Sequence, residues 1–540
     1  MGATTEADWV SRQADEVIAE ADRRAPGERI VCASGLSPSG PIHLGNLREV
    51  MTPHLVADEI RRRGRDCEHI LSWDDFDRFR RVPAGIDPSW EQHIGKPLTA
   101  VPAPLGSTHA NWAEHFTAPT VAALAELGIA FRGISQTERY ASGAYTDQIL
   151  LAMHARDRID AVLARYRTKG TPETGAYYPY RPYCTVCDRD LTTVTAYDDA
   201  TNELAYSCAC GHSEVVRLTD LHRGKLVWKV DWPMRWAYEG VVFEPSGVDH
   251  NSPGSSFVVG GELVTEIFGG RQPIGPMYAF VGITGMAKMS SSKGGVPTPA
   301  DALQIMEPAV LRWLYARRRP NQSFSIAFDQ EIHRLYDEWD ALGRKVADGG
   351  GQPADRAAYS RATGTADGEL PATPRPLPYR SLTSIVDITT GQDEQILRIV
   401  GDLDPSAPIT SLDDVRPRLD CVRHWVRTQL PAEDRTRARD EPDAALLDSL
   451  ADTERESVRL LAAGLDNNWS LQGLTTLVYS VPKQQAGLPA DAAPTAELKA
   501  AQRRFFALLY MLLIGRDTGP RLPTLLLAVG AERVAKLLGG

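Results

Sequence analysis

No apolar stretch in these 540 residues is long enough to cross a bilayer. The longest, Phe505 to Ile514, is about half the roughly 20 residues a spanning helix needs. A basic-then-apolar leader is also missing, since the N-terminus carries Glu6, Asp8, Asp15 and Glu16. No signal peptide and no membrane association are therefore expected, and the expected compartment is the cytoplasm. Cysteine is scarce, with seven in the chain. That excludes a disulfide framework for a protein of this size. Excess positive charge is lacking as well: 59 Lys and Arg against 70 Asp and Glu give a net charge of −11. Such a balance argues against a general nucleic-acid coat, although a local basic face remains possible. We find no internal repeat.

What remains is an ordinary globular composition, long enough for two to four domains. A polar helix is expected over Glu6–Arg24, a short buried strand over Arg29–Ala33, a helix over Ile42–Arg63 and a second strand over Cys67–Trp73. Strand, loop, helix and strand in that order open a doubly wound nucleotide-binding sheet. Further helices are expected at Thr108–Leu127 and Tyr145–Tyr166. Sheet-like segments follow at Lys225–Asp231, Val241–Glu244 and Met277–Ile283, with a helix at Ser255–Phe268. Gly349–Pro378 reads as a linker or long surface loop, and helical periodicity dominates from about Ser381.

Two segments carry nucleotide chemistry. Pro38-Ser39-Gly40-Pro41-Ile42-His43-Leu44-Gly45-Asn46 follows a strand and opens a helix, where free N–H groups and the helix dipole favour an anion. His43 can donate to a phosphate oxygen, and Gly45 lets a ribose or base approach. Taken alone, the segment is as well explained by tight packing. Lys288-Met289-Ser290-Ser291-Ser292-Lys293-Gly294 lies in a polar loop after an apolar strand, and two lysines there suit a leaving pyrophosphate. Cys184 and Cys187 are followed by Cys208, Cys210 and His212, a spacing suited to tetrahedral Zn²⁺. Four cysteines are the expected ligands, with His212 as the substitute for Cys210. Cys32, Cys67 and Cys421 read as ordinary thiols. The basic runs Arg156, Arg158, Arg165, Arg167 and Lys169, and Arg312 with Arg317–Arg319, fit solvated helix faces as well as they fit a nucleic-acid surface.

Together the two segments resemble the HIGH and KMSKS signatures of class I aminoacyl-tRNA synthetases. The chain is more closely similar to the class I lysyl-tRNA synthetases, through Ala33–Gly40, Ser72–Arg78, Asp231–Trp236 and Gly247–His250. Asn46 replaces the last His of HIGH, and Ser291 replaces the second Lys of KMSKS, with Lys293 a possible stand-in.

The resemblance implies a Rossmann-type (HUP-like) parallel sheet with an inserted zinc ribbon and an all-α anticodon-binding domain. Its expected boundaries are an N-terminal helical extension at 1–27, the first catalytic half at 28–170 and the ribbon at 171–224. The second catalytic half with the KMSKS-like loop follows at 225–300, a helical connector at 301–380 and the anticodon-binding domain at 381–540. The implied activity joins L-lysine to tRNA(Lys) with ATP and Mg²⁺, in a monomeric enzyme with a structural Zn²⁺. The alternatives are a paralogue serving a specialised acceptor or one without catalysis. His43, Lys288 and Lys293 would be catalytic, with Pro38, Ser39, Gly45, Asn46, Asp249, Met289, Ser290 and Ser291 around ATP. Gly35, Ser37, Asp74, Trp228, Asp231, Trp232, Glu239, His250 and Tyr278 would surround lysine. Asp74 is expected at the α-ammonium, with Asp231 and Glu239 both open for the ε-ammonium. Trp469 reads as a buried helix anchor, with stacking on an anticodon base as the alternative.

Overall fold

The computed structural model describes residues 8–167, 175–252, 254–284, 295–389, 391–403, 407–493 and 495–539. Two compact units are present. One comprises Met1–Leu303, Pro308–Ile326 and Leu342–Pro371, and the other comprises Gln304–Glu307, Ala327–Ala341 and Ala372–Gly540.

The first unit is built on a parallel sheet. Helix α1 (Trp9–Arg24) precedes β1 (Ile30–Leu36), α2 (Leu44–Arg62) and β2 (Cys67–Trp73). Next come α3 (Trp112–Glu126), β3 (Arg132–Ser135) and the short helices α4 (Gln136–Ala141), α5 (Thr146–His154) and α6 (Arg156–Ala164). A ribbon of β4 (Tyr180–Pro182), β5 (Thr192–Asp198), β6 (Glu203–Cys208), β7 (Ser213–Arg217) and β8 (Gly224–Leu226) follows. The chain then returns through α7 (Trp228–Glu239), β9 (Val241–Phe243) and α8 (Ser256–Glu266). The main sheet has the order β3-β2-β1-β9, all parallel. One face is sealed by Val31, Ala33, Ile70 and Ile134 of the strands, packed with Trp232 and Trp236 of α7 and Val264 of α8. Strands β1 and β2 are almost wholly buried, as expected of parallel strands covered by helices.

In the ribbon, β5-β6-β7 form an antiparallel meander, and β4 pairs with β8 to make its stem. The short strands β10 (Ser246–Gly247) and β11 (Met277–Tyr278) pair in parallel, as do β12 (Val281–Ile283) and β13 (Phe324–Ile326). Arg48 of α2 is buried and donates to the backbone oxygens of Ala279, Arg319 and Gln322, which pins the β11–β12 region against α2.

Four sequence expectations are corrected. Lys225–Asp231 is mostly not strand: β8 ends at Leu226, and α7 starts at Trp228 because the aromatic stripe Trp228, Trp232, Trp236 needs helical spacing to reach one face. Strand β1 runs on through Ser34, Gly35 and Leu36, paired with Leu71, Ser72 and Trp73 of β2 despite the small residues. The helix expected at Tyr145–Tyr166 is split into α5 and α6. Gly349–Pro378 is not one loop: it holds the helix Pro353–Thr363 and a small antiparallel pair, Gly364–Thr365 with Gly368–Glu369. Arg361 of that helix bridges Asp8 and Glu59, so the segment ties α1 to α2.

The second unit is helical through Tyr379–Ile388, Asp393–Asp402, Arg418–Thr428, Asp452–Gly464, Leu471–Gln485, Ala496–Ile514, Leu522–Val529 and Ala531–Leu537. Its buried Arg418 pairs with Glu307 and Asp340. Trp469 is half-buried, just before the Ser470 N-cap of its helix. No helix among the described residues is long and apolar enough to cross a membrane.

Candidate active site

A cavity of about 170 Å³ opens at the carboxyl ends of β1 and β2, where a parallel sheet holds its ligands. Gly35 and Ser72 from the strand ends, Asp74 just beyond β2, Glu49 from α2 and Tyr278 from β11 line it. So do Trp228, Trp232, Arg235 and Glu239 of α7, and beyond it Glu244 and His250.

His43 is the N-cap of α2. Its Nδ1 accepts from the Gly45 N–H at 3.1 Å, while Asn46 Oδ1 accepts from the His43 N–H at 3.2 Å. Asn46 therefore closes a capping box, which gives the departure from HIGH a structural role. Burial pulls the His43 pKa down, which favours the neutral ring. With Nδ1 accepting, the proton lies on Nε2, a donor free for an anion. The first-turn N–H groups are less free than expected. Gly45 binds His43, and Leu44 donates to Pro297 O at 3.0 Å. That second bond holds the chain downstream of Lys288 against the start of α2. Lys288, Met289, Ser290, Ser291 and Lys293 themselves lie outside the described residues. Pro38 is buried, whereas Ser37 and Ser39 are exposed at the same junction.

The carboxylates divide into two kinds. Asp74 Oδ1 is 2.6 Å from Arg235 Nη1, and Arg235 also bridges to Asp231. Asp231 takes a further bond from Tyr140 and is completely buried. Of the two carboxylates left open for the ε-ammonium, Asp231 is held by Tyr140 and Arg235 and does not line the cavity, whereas Glu239 does. Glu239 lines the cavity, but Arg132 and Arg139 hold its two oxygens at 3.0 and 3.1 Å.

The second kind, missed in the sequence, is Glu49 and Glu244. Neither makes an ion pair among the described residues. Burial pushes Glu49 up to about 8 and Glu244 up to about 7. Tyr278 donates to Glu49 at 3.1 Å, and the indoles of Trp232 and Trp236 donate to Glu244 at 3.1 and 2.6 Å. Glu244 is buried and Glu49 half-buried, and carboxylates so enclosed without an ion pair among the described residues suit cationic groups. Trp228 stacks on Trp232 with centroids 5.1 Å apart, and His250 meets Trp232 edge-on at 5.5 Å. These rings supply an apolar wall. Asp249 is exposed on the short helical turn Val248–His250.

The sequence profile of the class I (K) tRNA synthetases matches residues 7–367. The chain is 66% identical to a lysine–tRNA ligase from Streptomyces coelicolor, over 99% of each chain. It is 32% identical to that of Pyrococcus horikoshii, over 98% of this chain and 99% of the relative. The lysine–tRNA ligase of Treponema pallidum is also 32% identical, over 98% of each. The chain belongs to the class I (K) tRNA synthetases.

Family membership gives the ribbon a setting, and its geometry can be tested. The sulfurs of Cys184, Cys187, Cys208 and Cys210 lie within 4.8 Å of one another. Cys184 and Cys210 sulfurs are 3.8 Å apart, and those of Cys187 and Cys208 are 3.6 Å apart. A tetrahedron with zinc–sulfur bonds of about 2.3 Å has edges of about 3.8 Å, so the four thiols fit Zn²⁺. They are too far apart for disulfides. His212 Nε2 instead faces Thr185 and Glu214, each at 3.3 Å, so Cys210 rather than His212 completes the set. Four protein ligands leave no open position for chemistry, and such a metal would hold the knuckles of the ribbon together. Metal analysis of protein purified without chelators should find one zinc per chain, and Cys187→Ser should remove it. Zinc-free wild type with an intact ribbon would refute the assignment.

Proposed function

We infer that this chain is a lysine–tRNA ligase, activating L-lysine with ATP and passing it to tRNA(Lys). The observation that carries the reading is the pair of carboxylates Glu49 and Glu244, which make no ion pair among the described residues, beside Asp74 at the carboxyl end of the sheet. Lysine brings two ammonium groups and one carboxylate, so a site for it needs more anions than cations. Asp74 gives only Oδ1 to Arg235, and it stands at the mouth of the cavity to hold the α-ammonium. Glu49, with Tyr278, receives the ε-ammonium. Trp228 and Trp232 flank the methylenes, and Glu244 adds negative potential from behind the indoles.

The lysine carboxylate attacks the α-phosphate, forming lysyl-adenylate and releasing pyrophosphate. A carboxylate nucleophile needs no strong base, so positioning and charge stabilisation do the catalysis. His43 donates from Nε2 to a phosphate oxygen. Lys288, with Lys293 as the stand-in for the absent signature lysine, neutralises the triphosphate, and the Leu44–Pro297 bond supports bringing that loop to His43. Mg²⁺ arrives with ATP, and the four thiols are the only cluster of metal-ligating residues among the described residues. In the second step a ribose hydroxyl oxygen of the tRNA bonds to the carbonyl carbon. The carbonyl–phosphate bond breaks, and AMP leaves with the hydroxyl proton passing to its phosphate.

Lysine-dependent exchange of pyrophosphate into ATP, followed by charging of tRNA(Lys), tests the reading. Both should be robust. Exchange with glutamate but not lysine would overturn the substrate assignment, and exchange without charging would point to a specialised acceptor.

A further inference from the structure

A separate cavity of about 360 Å³ lies behind β11. Three elements wall it: α1 with Trp9, Gln13 and Glu16, β11 with Met277, and the turn before β13 with Arg319 and Asn321. Trp9 is half-buried, and its indole Nε1 donates to the oxygen of Ala316 at 2.7 Å, which fixes the ring. Met277 is exposed. Arg319 is exposed as well, and its guanidinium makes no ion pair among the described residues. Glu16 accepts from Gln13 Nε2 at 2.9 Å and likewise has no ion pair there.

This set matches a nucleoside monophosphate part by part. A fixed indole stacks a base, and a flexible thioether packs beside it. A guanidinium forks onto a phosphate. A carboxylate accepts from ribose hydroxyls, and the amides of Gln13 and Asn321 can meet a base edge. The volume is in the range of small-ligand sites. A bare inorganic anion would leave the indole and Met277 unused, and a purely apolar ligand would leave Arg319 and Glu16 unused.

The cavity is also wired to the first one. Successive residues of a strand face opposite ways, so Met277 lines this cavity while Tyr278 lines the other and donates to Glu49 at 3.1 Å. The opposite wall is tied to the same place. Pro320 O accepts from the Ala279 N–H at 2.8 Å, and the oxygens of Arg319 and Gln322 accept from Arg48, the neighbour of Glu49, at 2.7 and 2.8 Å. A ligand that draws Met277 toward Arg319 and Asn321 therefore bears on Tyr278 and Glu49 through one layer of backbone. We propose that this cavity binds a nucleoside monophosphate, and that its occupancy changes the affinity of the first cavity for lysine.

The coupling rests on the lysine reading, whereas the binding does not. Calorimetry on the full chain, with a non-hydrolysable ATP analogue saturating the site at the β1–α2 junction, is run with AMP and with GMP. At least one should bind, at one molecule per chain, and inorganic phosphate and the free nucleoside should each bind at least tenfold more weakly. Arg319→Ala should weaken binding roughly tenfold, the scale of a lost charged hydrogen bond, with lysine-dependent pyrophosphate exchange at the wild-type rate when no monophosphate is added. Saturating lysine should shift the monophosphate Kd by about fivefold or more, and the monophosphate should shift the lysine Kd by the same factor. No binding beside the analogue, or undiminished binding in Arg319→Ala, would overturn the site. Inorganic phosphate binding as tightly as the nucleotide would also overturn it, because the indole and Met277 would then contribute nothing. Binding without the reciprocal shift would overturn the coupling. A wild type that binds the monophosphate but lacks lysine-dependent exchange would refute the ligase reading and leave the site standing.

Discussion

Glu49→Gln should lower kcat/KM for lysine by about two to three orders of magnitude while leaving the apparent affinity for ATP nearly unchanged. Glutamine keeps the size of the side chain and can still accept from Tyr278. What it loses is the charge opposite the ε-ammonium, and removing one partner of a buried ion pair costs about 2–5 kcal/mol. The same carboxylate sets a pH dependence. Burial pushes Glu49 up to about 8 and Glu244 up to about 7, so near neutrality the Glu49 carboxyl is protonated for much of the time. An ammonium beside it favours the charged form and lowers its pKa. Lysine binding must then release protons, and affinity should climb as pH rises through 7 to 8. Titration calorimetry in two buffers of different ionisation enthalpy would measure the release. The rise should be flatter in Glu49→Gln. A variant with wild-type lysine dependence would remove Glu49 from the site.

Much of the scaffold was legible because local rules and packing agree in it. Cys67–Trp73, a short segment between Gly64 and Asp74 with Ile70, Leu71 and Trp73 in it, forms β2 as expected, and the cysteine spacing led to four sulfurs at zinc distances. The parts that failed depend on distant packing. Glu49 lies inside α2 between Arg48 and Val50, and no local pattern separates it from a solvated helix charge. Its role appears only when Tyr278, far along the chain, is brought against it. Glu244 follows a short strand, and its place in the cavity wall is set only when two indoles of α7 close over it. For Asp231 the sequence could not show the converse, that its partners lie away from the cavity. It is close in sequence to Trp228 and Trp232, but helical geometry turns it to Arg235 one turn on. The β-branched and aromatic residues of Lys225–Asp231 suggested a strand, and the stronger demand of the Trp stripe for one buried face made most of it helix.

Arg235 should be the residue whose loss damages the catalytic unit most. It is buried and stands between Asp74 and Asp231, with Lys225 3.7 Å from Asp231 and paired to Asp77. The chain of charges Asp74, Arg235, Asp231, Lys225 and Asp77 alternates in sign. Arg235→Met would fill similar volume but leave Asp74 and Asp231 on one side without their shared cation. Breaking a buried pair in this way costs about 3–5 kcal/mol, a large part of the stability of a domain. Lysine would not replace arginine fully, because it lacks the planar fork that reaches both carboxylates. The sign of the pH effect follows. Burial already raises the Asp74 pKa, against the opposing pull of Arg235. Without Arg235, Asp74 loses the cation that holds its pKa down and would titrate still further above the unfolded range, so the native state would hold more protons than the unfolded chain. Stability of the variant should therefore fall as pH rises across that window, and its deficit against the wild type should shrink as pH drops from 7 to 5. Denaturant unfolding followed by the fluorescence of the α7 tryptophans would show both effects. The double variant Asp231→Asn with Arg235→Met should recover part of the loss. An Arg235→Met protein within about 0.5 kcal/mol of wild type at pH 7, the range of an ordinary surface change, would mean that the carboxylates are neutral in the native state. In that case Asp74 could not hold an α-ammonium.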